Sequence, residues 1–128
     1  MNDYSIYSNY YDSVNKSYNF CIPFIRSNID HLKNKNKSLI EFGCGTGNIL
    51  KEFSTEYVIT GIDLLENMLN IARNKLKNCN LKHSDMTEYY ENKKYDVFLC
   101  MFDTLNHVLD INKWDKMFNN IAKMMHSR

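Results

Sequence analysis

Residues Leu39 to Leu50 read LIEFGCGTGNIL and place Gly43, Gly45 and Gly47 at every second position. Three of the chain's four glycines fall in this one loop, between two apolar runs. Glycine lets backbone and ligand come close together, so the loop has the composition of a ligand cradle. A dinucleotide loop wants G-x-G-x-x-G, with the pyrophosphate on a helix N-terminus. Here the third glycine comes one position early, at Gly47, and Asn48 follows it. Glu41 stands two residues before the first glycine. An acid there would repel a pyrophosphate and would suit a cofactor carrying an ammonium and a sulfonium. Asp63 ends the next apolar run, about 20 residues beyond the first glycine, where an acidic side chain accepts from both ribose hydroxyls.

These residues need elements to hold them. SLIEF, before the loop, reads as a buried strand, and GNILKEFS opens a short helix. EYVITGID is a second strand. LLENMLNIARNKLKN is a helix with Leu65, Met68, Leu69, Ala72 and Leu76 on one face. CNLKHSD reads as a third strand, and YDVFLCMF as a fourth, apolar enough for burial on both faces. TLNHVL is a short helix. DINKWDKMFNNIAKMM is a final helix, capped by Asp110, with Trp114, Met117, Phe118, Ile121 and Met125 inward. Upstream, Ile22, Ile25, Ile29 and Leu32 recur at helical spacing, and Pro23 suits a first helical turn. Tyrosines from Tyr4 to Tyr18 fit a helical stripe, and KNKNK (Lys33 to Lys37) breaks the pattern as a solvated loop. Alternating strands and helices predict an α/β fold: a Rossmann-like parallel sheet with helices on both faces. Residues 1–37 are expected to form an N-terminal helical cap and residues 38–128 the core of one domain.

Composition narrows the classes. With 128 residues, the chain holds one core and not two. A formal net charge of +1 gives no field to draw it to nucleic acid or to a membrane surface. The polar, tyrosine-rich N-terminus does not read as a signal peptide, and no apolar run approaches the roughly 20 residues of a membrane span. Cys21, Cys44, Cys79 and Cys100 form no C-x-x-C pair, so a zinc ribbon or redox motif is not expected. They read as buried free thiols of a reducing cytoplasm.

EFGCGTG, with its leading acid, resembles the first motif of the class I S-adenosylmethionine (SAM)-dependent methyltransferases. Asp63 matches that family's ribose-binding acid, and HSDMTEY resembles its third, GDM-like element. YDVFLCMFDTLNHV resembles its segment after the fourth strand. The four elements run in order over roughly 90 residues. Within the class, the pattern is similar to bacterial small-molecule N- and O-methyltransferases, including amino-sugar N-methyltransferases, whose N-terminal helix often carries a YD pair like that of YYDSV. The resemblance implies SAM as cofactor and a small-molecule acceptor. It implies cofactor contacts from Glu41, Gly43, Cys44, Gly45, Gly47 and Asp63, with Leu64 against the adenine. Asp85 would accept from the adenine amino group, Met86 would meet the ring edge, and Phe102 would line the methionine moiety. The bland readings stand beside these: Asp63 as a helix cap, Asp85 as a cap or turn residue, and the tyrosines as packing.

SAM brings its own reactivity, so the protein aligns a nucleophile with the methyl group and excludes water. No fixed triad is expected. Tyr11, Asp103, Asn106 and His107 are the candidates near the methyl group: Tyr11 as a lid with a ring for the sulfonium, Asp103 or His107 as orienting group or base. His107 also reads as an ordinary exposed helical histidine. The resemblance further implies a PGG turn and three more strands, whereas NIAKMMHSR ends at Arg128. The sheet order is therefore expected to be 3-2-1-4, with strand four an open edge that invites pairing, as in a homodimer. Two readings follow: a small-molecule methyltransferase, or a SAM-binding, dimerising fragment without turnover. A nicotinamide dehydrogenase is disfavoured by Glu41 and the early Gly47.

Overall fold

The computed structural model describes residues 8–14, 16, 18–32, 36–102 and 104–126. Four strands form one sheet: β1 (Ser38–Phe42), β2 (Val58–Asp63), β3 (Cys79–His83) and β4 (Val97–Cys100). Their order is β3-β2-β1-β4, and every pairing is parallel. The expected order and the Rossmann-like layering are both present. Parallel neighbours need crossovers: α3 (Asn48–Phe53) connects β1 to β2 and α4 (Glu66–Lys75) connects β2 to β3, residues 84–96 return to β4 without a helix, and α5 (Ile111–Met124) follows β4. Before the sheet come a 3-10 turn (Ser8–Tyr10), α1 (Tyr11–Val14), α2 (Tyr18–Ile29) and a second 3-10 turn (Asp30–Leu32).

Strand alternation sorts the core onto two faces. Leu39, Ile59, Val97 and Leu99 pack on one face with Ile25 and Ile29 of α2, Ile49, Leu50 and Phe53 of α3, and Leu69 and Ala72 of α4. Ile40, Phe42 and Ile62 pack on the other with Met117 and Met124 of α5 and with Tyr89 and Tyr95. Every residue of β1 is buried, as befits the strand between two neighbours. Tyr57 Oη donates to the Ile29 carbonyl at 2.9 Å and ties α2 to the sheet.

Several details differ from expectation. Pro23 lies inside α2 rather than in its first turn, because that helix starts at Tyr18. The stripe of tyrosines is not one helix: α1 ends at Val14 and α2 begins at Tyr18, while Tyr4, Tyr7 and Lys33 to Lys35 lie outside the described residues. β4 is buried on alternate residues only: Val97 and Leu99 are covered, while Phe98 and Cys100 are half-buried. Met117 and Met124 of α5 are buried, whereas Phe118 of the helix and Met125 just after it are exposed. The helix stops at Met124, and Met125 forms a parallel bridge with Tyr95 beside the start of β4. Tyr95 N–H donates to the Met124 carbonyl at 2.7 Å, and His126 N–H donates to the Tyr95 carbonyl at 3.2 Å. Met125 is therefore part of an extended segment, not of the helical stripe. Asp110 caps α5 as expected, accepting from Asn112 N–H at 2.9 Å.

Candidate functional site

The loops that leave the C-terminal ends of the four strands converge on one cavity of about 740 Å³. Ligands of open parallel sheets lie in this place, where the strand order reverses; here that is between β1 and β4. The volume is ample for a nucleoside-sized ligand.

The glycine loop forms its floor. Gly43 and Cys44 N–H both donate to the Ile62 carbonyl, at 2.8 and 3.0 Å, which folds the loop back on β2. Gly43, Gly45 and Gly47 have φ of 72°, 55° and 82°, the left-handed region that only glycine enters freely. Their surroundings differ. A Cβ at Gly43 would meet Thr104 Cγ2 at 2.3 Å, and one at Gly47 would meet Leu76 Cδ1 at 2.8 Å. A Cβ at Gly45 would meet nothing within 4 Å. Gly43 and Gly47 are thus glycine because the protein packs against them, and Gly45 is the one open to a ligand.

Asp63 joins this loop to the next. Its Oδ2 accepts from Gly45 N–H at 2.8 Å and its Oδ1 from Leu65 N–H at 2.9 Å. Burial raises its carboxyl above the ordinary value, though these backbone donors oppose the shift. Leu65 is the N-cap of α4, so Asp63 holds that helix start from two residues ahead. Each carboxylate oxygen keeps a further lone pair for a hydroxyl donor. Leu64 is exposed at the cavity wall, and its carbonyl lies 2.8 Å from His83 Nε2. Asp85 Oδ1 accepts from both Thr87 N–H, at 2.9 Å, and Thr87 Oγ1, at 2.8 Å. It is therefore a turn residue as well as a cavity residue. Met86 lines the cavity and packs against the second core face.

Glu41 sits behind the glycine loop. It is 3% exposed, and its Oε1 has no hydrogen-bond partner among the described residues. Burial, and then the nearby Asp63 charge, push its carboxyl up to about 8. It opens on a small annex of about 40 Å³, shared with Tyr11, Tyr18, Cys44 and Phe102. A buried acid without a donor is costly, and a cation beside it would remove the cost. Glu41 also raises the thiols around it: burial, with Glu41 adding, puts Cys79 at about 12 and Cys100 at about 11. Cys21 and Cys44 are raised by the same two causes, and all four cysteines are free thiols.

Of the residues singled out from the sequence, Gly43, Gly45, Asp63, Leu64, Asp85, Met86, Phe102, Tyr11 and His107 line the large cavity. Glu41 and Cys44 reach only the annex. Gly47 lines neither; it packs under α4 and is the N-cap of α3. Asn106 is exposed and outside the lining, and Asp103 lies outside the described residues. Phe102 has φ of 57°, unusual for a residue with a side chain, and stands half exposed over the cavity. Sequence reading missed Thr104, whose methyl fits against Gly43, and Lys113, which brings a cation to the far wall from α5. Thr104 was visible only as part of TLNHVL, because contact with Gly43 is a matter of folding and not of spacing. Among the described residues no group of His, Cys, Asp and Glu is placed to hold a metal ion. No helix there is long and apolar enough to cross a membrane.

Known proteins resemble this chain in sequence and in fold. A dTDP-3-amino-3,6-dideoxy-alpha-D-glucopyranose N,N-dimethyltransferase of Streptomyces fradiae is 28% identical over 89 residues, covering 69% of this chain and 35% of its own. A dTDP-3-amino-3,4,6-trideoxy-alpha-D-glucopyranose N,N-dimethyltransferase of Streptomyces venezuelae is 33% identical over 72 residues, covering 56% of this chain and 30% of its own. Among solved structures, an S-adenosylmethionine-dependent methyltransferase from Clostridium acetobutylicum superposes with a TM-score of 0.81 at 24% identity, covering 98% of this chain and 55% of that one. The SAM-bound amino pentose methyltransferase CalS10 from Micromonospora echinaspora gives 0.79 at 23% identity, covering 94% and 52%. The chain thus spans about a third of the length of these curated relatives and about half of these solved structures. Residues 39–128 match the methyltransferase domain family, and the chain belongs to it.

Proposed function

We propose that this chain binds S-adenosylmethionine in the 740 Å³ cavity and presents its methyl group to an N or O atom of a small molecule. One observation carries the reading. Gly45, the one of the three loop glycines where a Cβ would meet nothing within 4 Å, donates its N–H to Asp63 at one end of the cavity, with the unpaired acid Glu41 behind it. That pattern fits a ligand with a ribose diol and a cationic tail. A pyrophosphate would be repelled by Asp63 and would leave buried Glu41 without the cation that offsets its burial.

In this reading Asp63 takes the ribose hydroxyls, and Leu64 and Met86 flank the adenine. Asp85, whose Oδ1 is held by Thr87, offers its other oxygen to the adenine amino group. Gly43, Cys44 and Gly45 pass the methionine portion over backbone, and Gly47 sets the start of α3 below it. Glu41 faces the ammonium through the annex. SAM, when bound, supplies an activated methyl on sulfur. The chain's own residues hold it, exclude water and position the acceptor. Tyr11 and Phe102 line both the cavity and the annex, so their rings stand where the sulfonium would lie. His107, on the cavity wall, and Asp103, outside the described residues, are the candidates to orient the acceptor or take its proton. Residues 1–37 act as a cap on the core of residues 38–128. The names of the relatives favour an amine on a small sugar-like molecule as the acceptor. Four free thiols fit a reducing, cytoplasmic setting.

The test is transfer of an isotope-labelled methyl from SAM to a panel of amines and hydroxyl compounds. Labelled product, lost in Asp63→Ala, supports the reading. A second reading rests on the outer edge of β4, which pairs only at Tyr95 among the described residues. Two copies joined there would bind SAM without turnover. Sedimentation showing a dimer that binds SAM but labels no acceptor favours it.

A further inference from the structure

Asp12, next to Tyr11, sits at the centre of a polar network. Its Oδ1 accepts from Thr46 Oγ1 at 2.6 Å and from Asn48 Nδ2 at 2.8 Å. Its Oδ2 pairs with Lys75 Nζ. Lys75 also donates to Asn48 Oδ1 at 2.6 Å and to Thr46 Oγ1 at 3.3 Å. One carboxylate on α1 therefore ties together the glycine loop through Thr46, the first residue of α3 through Asn48, and the last residue of α4 through Lys75. The cluster is sheltered: Thr46 is 1% exposed and the Lys75 side chain 20%. Charge-assisted hydrogen bonds in such a setting are stronger than at the surface. Burial alone would raise the Asp12 carboxyl, but hydrogen bonds from Lys75, Thr46 and Asn48 outweigh it and hold it below the usual carboxylate range.

α1 has four residues and no helical stability of its own, so it stays where side chains hold it. Tyr11, its first residue, lines both the cavity and the annex at Glu41. We propose that Asp12 is a positioning residue: its latch on Thr46, Asn48 and Lys75 holds Tyr11 across the cavity and sets how long the cofactor stays bound. This rests on the SAM reading above. The latch acts through Tyr11, so its loss and the loss of Tyr11 have the same consequence. A network that only stiffened the glycine loop would act whether or not Tyr11 were present.

That difference gives the test. The dissociation rate of S-adenosylhomocysteine (SAH) is measured by stopped-flow displacement for the unsubstituted chain, Asp12→Asn, Tyr11→Ala and the double variant. The latch predicts release on the order of ten-fold faster for Asp12→Asn, a similar change for Tyr11→Ala, and no further change in the double. Should Asp12→Asn fail to fold, Lys75→Met removes the charge partner from the other side and carries the same prediction. Equal accelerations by Asp12→Asn with and without Tyr11, or unaltered release in Asp12→Asn, overturn the proposal while leaving the cofactor reading intact. No SAH or SAM binding by the unsubstituted chain overturns both.

Discussion

Glu41 is a carboxyl whose sequence position reads as function and whose surroundings read as cost. Its carboxyl rises from 4.5 to about 8 on folding, so between these values the folded state holds a proton that the unfolded state has released. Stability therefore falls as pH rises through that window, and levels off above about 8. Asp63, also raised, acts in the same sense. Asp12, Glu91 and Asp96 lie below their usual range and act in the opposite sense, losing stability as pH falls in the acid region. Thermal melts of the ligand-free protein from pH 5 to 9 should show a declining midpoint, and Glu41→Gln should flatten it, by at most a few kcal/mol at pH 8. A flat profile in the unsubstituted chain would contradict the buried, unpartnered acid. The glycines make a second residue-scale prediction. Gly43→Ala combines a positive φ with a clash on Thr104 and should destabilise by about 2 kcal/mol in denaturant titration. Gly45→Ala should cost about 1 kcal/mol, from φ alone, and should weaken SAM binding if SAM lies over the open surface of this cavity-lining glycine, read by calorimetry.

At the scale of elements, α5 depends on its cap. Asp110→Ala should lower stability by about 1 kcal/mol, read by chemical denaturation, because the Asn112 N–H loses its acceptor. Phe118→Gln should leave stability within about 0.5 kcal/mol, since that side chain is half exposed. The sequence showed the element types well. The short run SLIEF between Lys37 and Gly43 marks β1, VITGID ending on Asp63 marks β2, and the spacing of Met68, Leu69 and Ala72 marks α4. It was less informative where partners decide. Phe118, expected inward, stands half exposed with its ring edge-on to Trp114, and Met125 leaves the helix to bridge Tyr95. Pro23 is tolerated inside α2, where helix-start statistics do not place it. The cavity was legible wherever one residue type has one use, as with Gly45 and Asp63. Thr104, Lys113 and the Asp12 network were not, because contacts between distant segments leave no local spacing.

At the scale of the whole molecule, the parallel sheet brings four loops to one end, and the reversal of strand order between β1 and β4 leaves the gap that the cavity fills. Among the described residues, β4 has a neighbour on one side only, apart from the bridge at Tyr95 just before it. The cavity is lined from the glycine loop and the ends of β2 and β3 on one side and by Phe102, Thr104 and residues 107–110 with Lys113 on the other. The cofactor is the central claim, and isothermal titration calorimetry of the full chain against SAM, SAH and NADH tests it most directly. The structure predicts saturable one-to-one binding of SAM and SAH, weakened about 100-fold or more in Asp63→Ala, and no heat with NADH. Binding of NADH, or no binding of SAM and SAH by the folded chain, would contradict it.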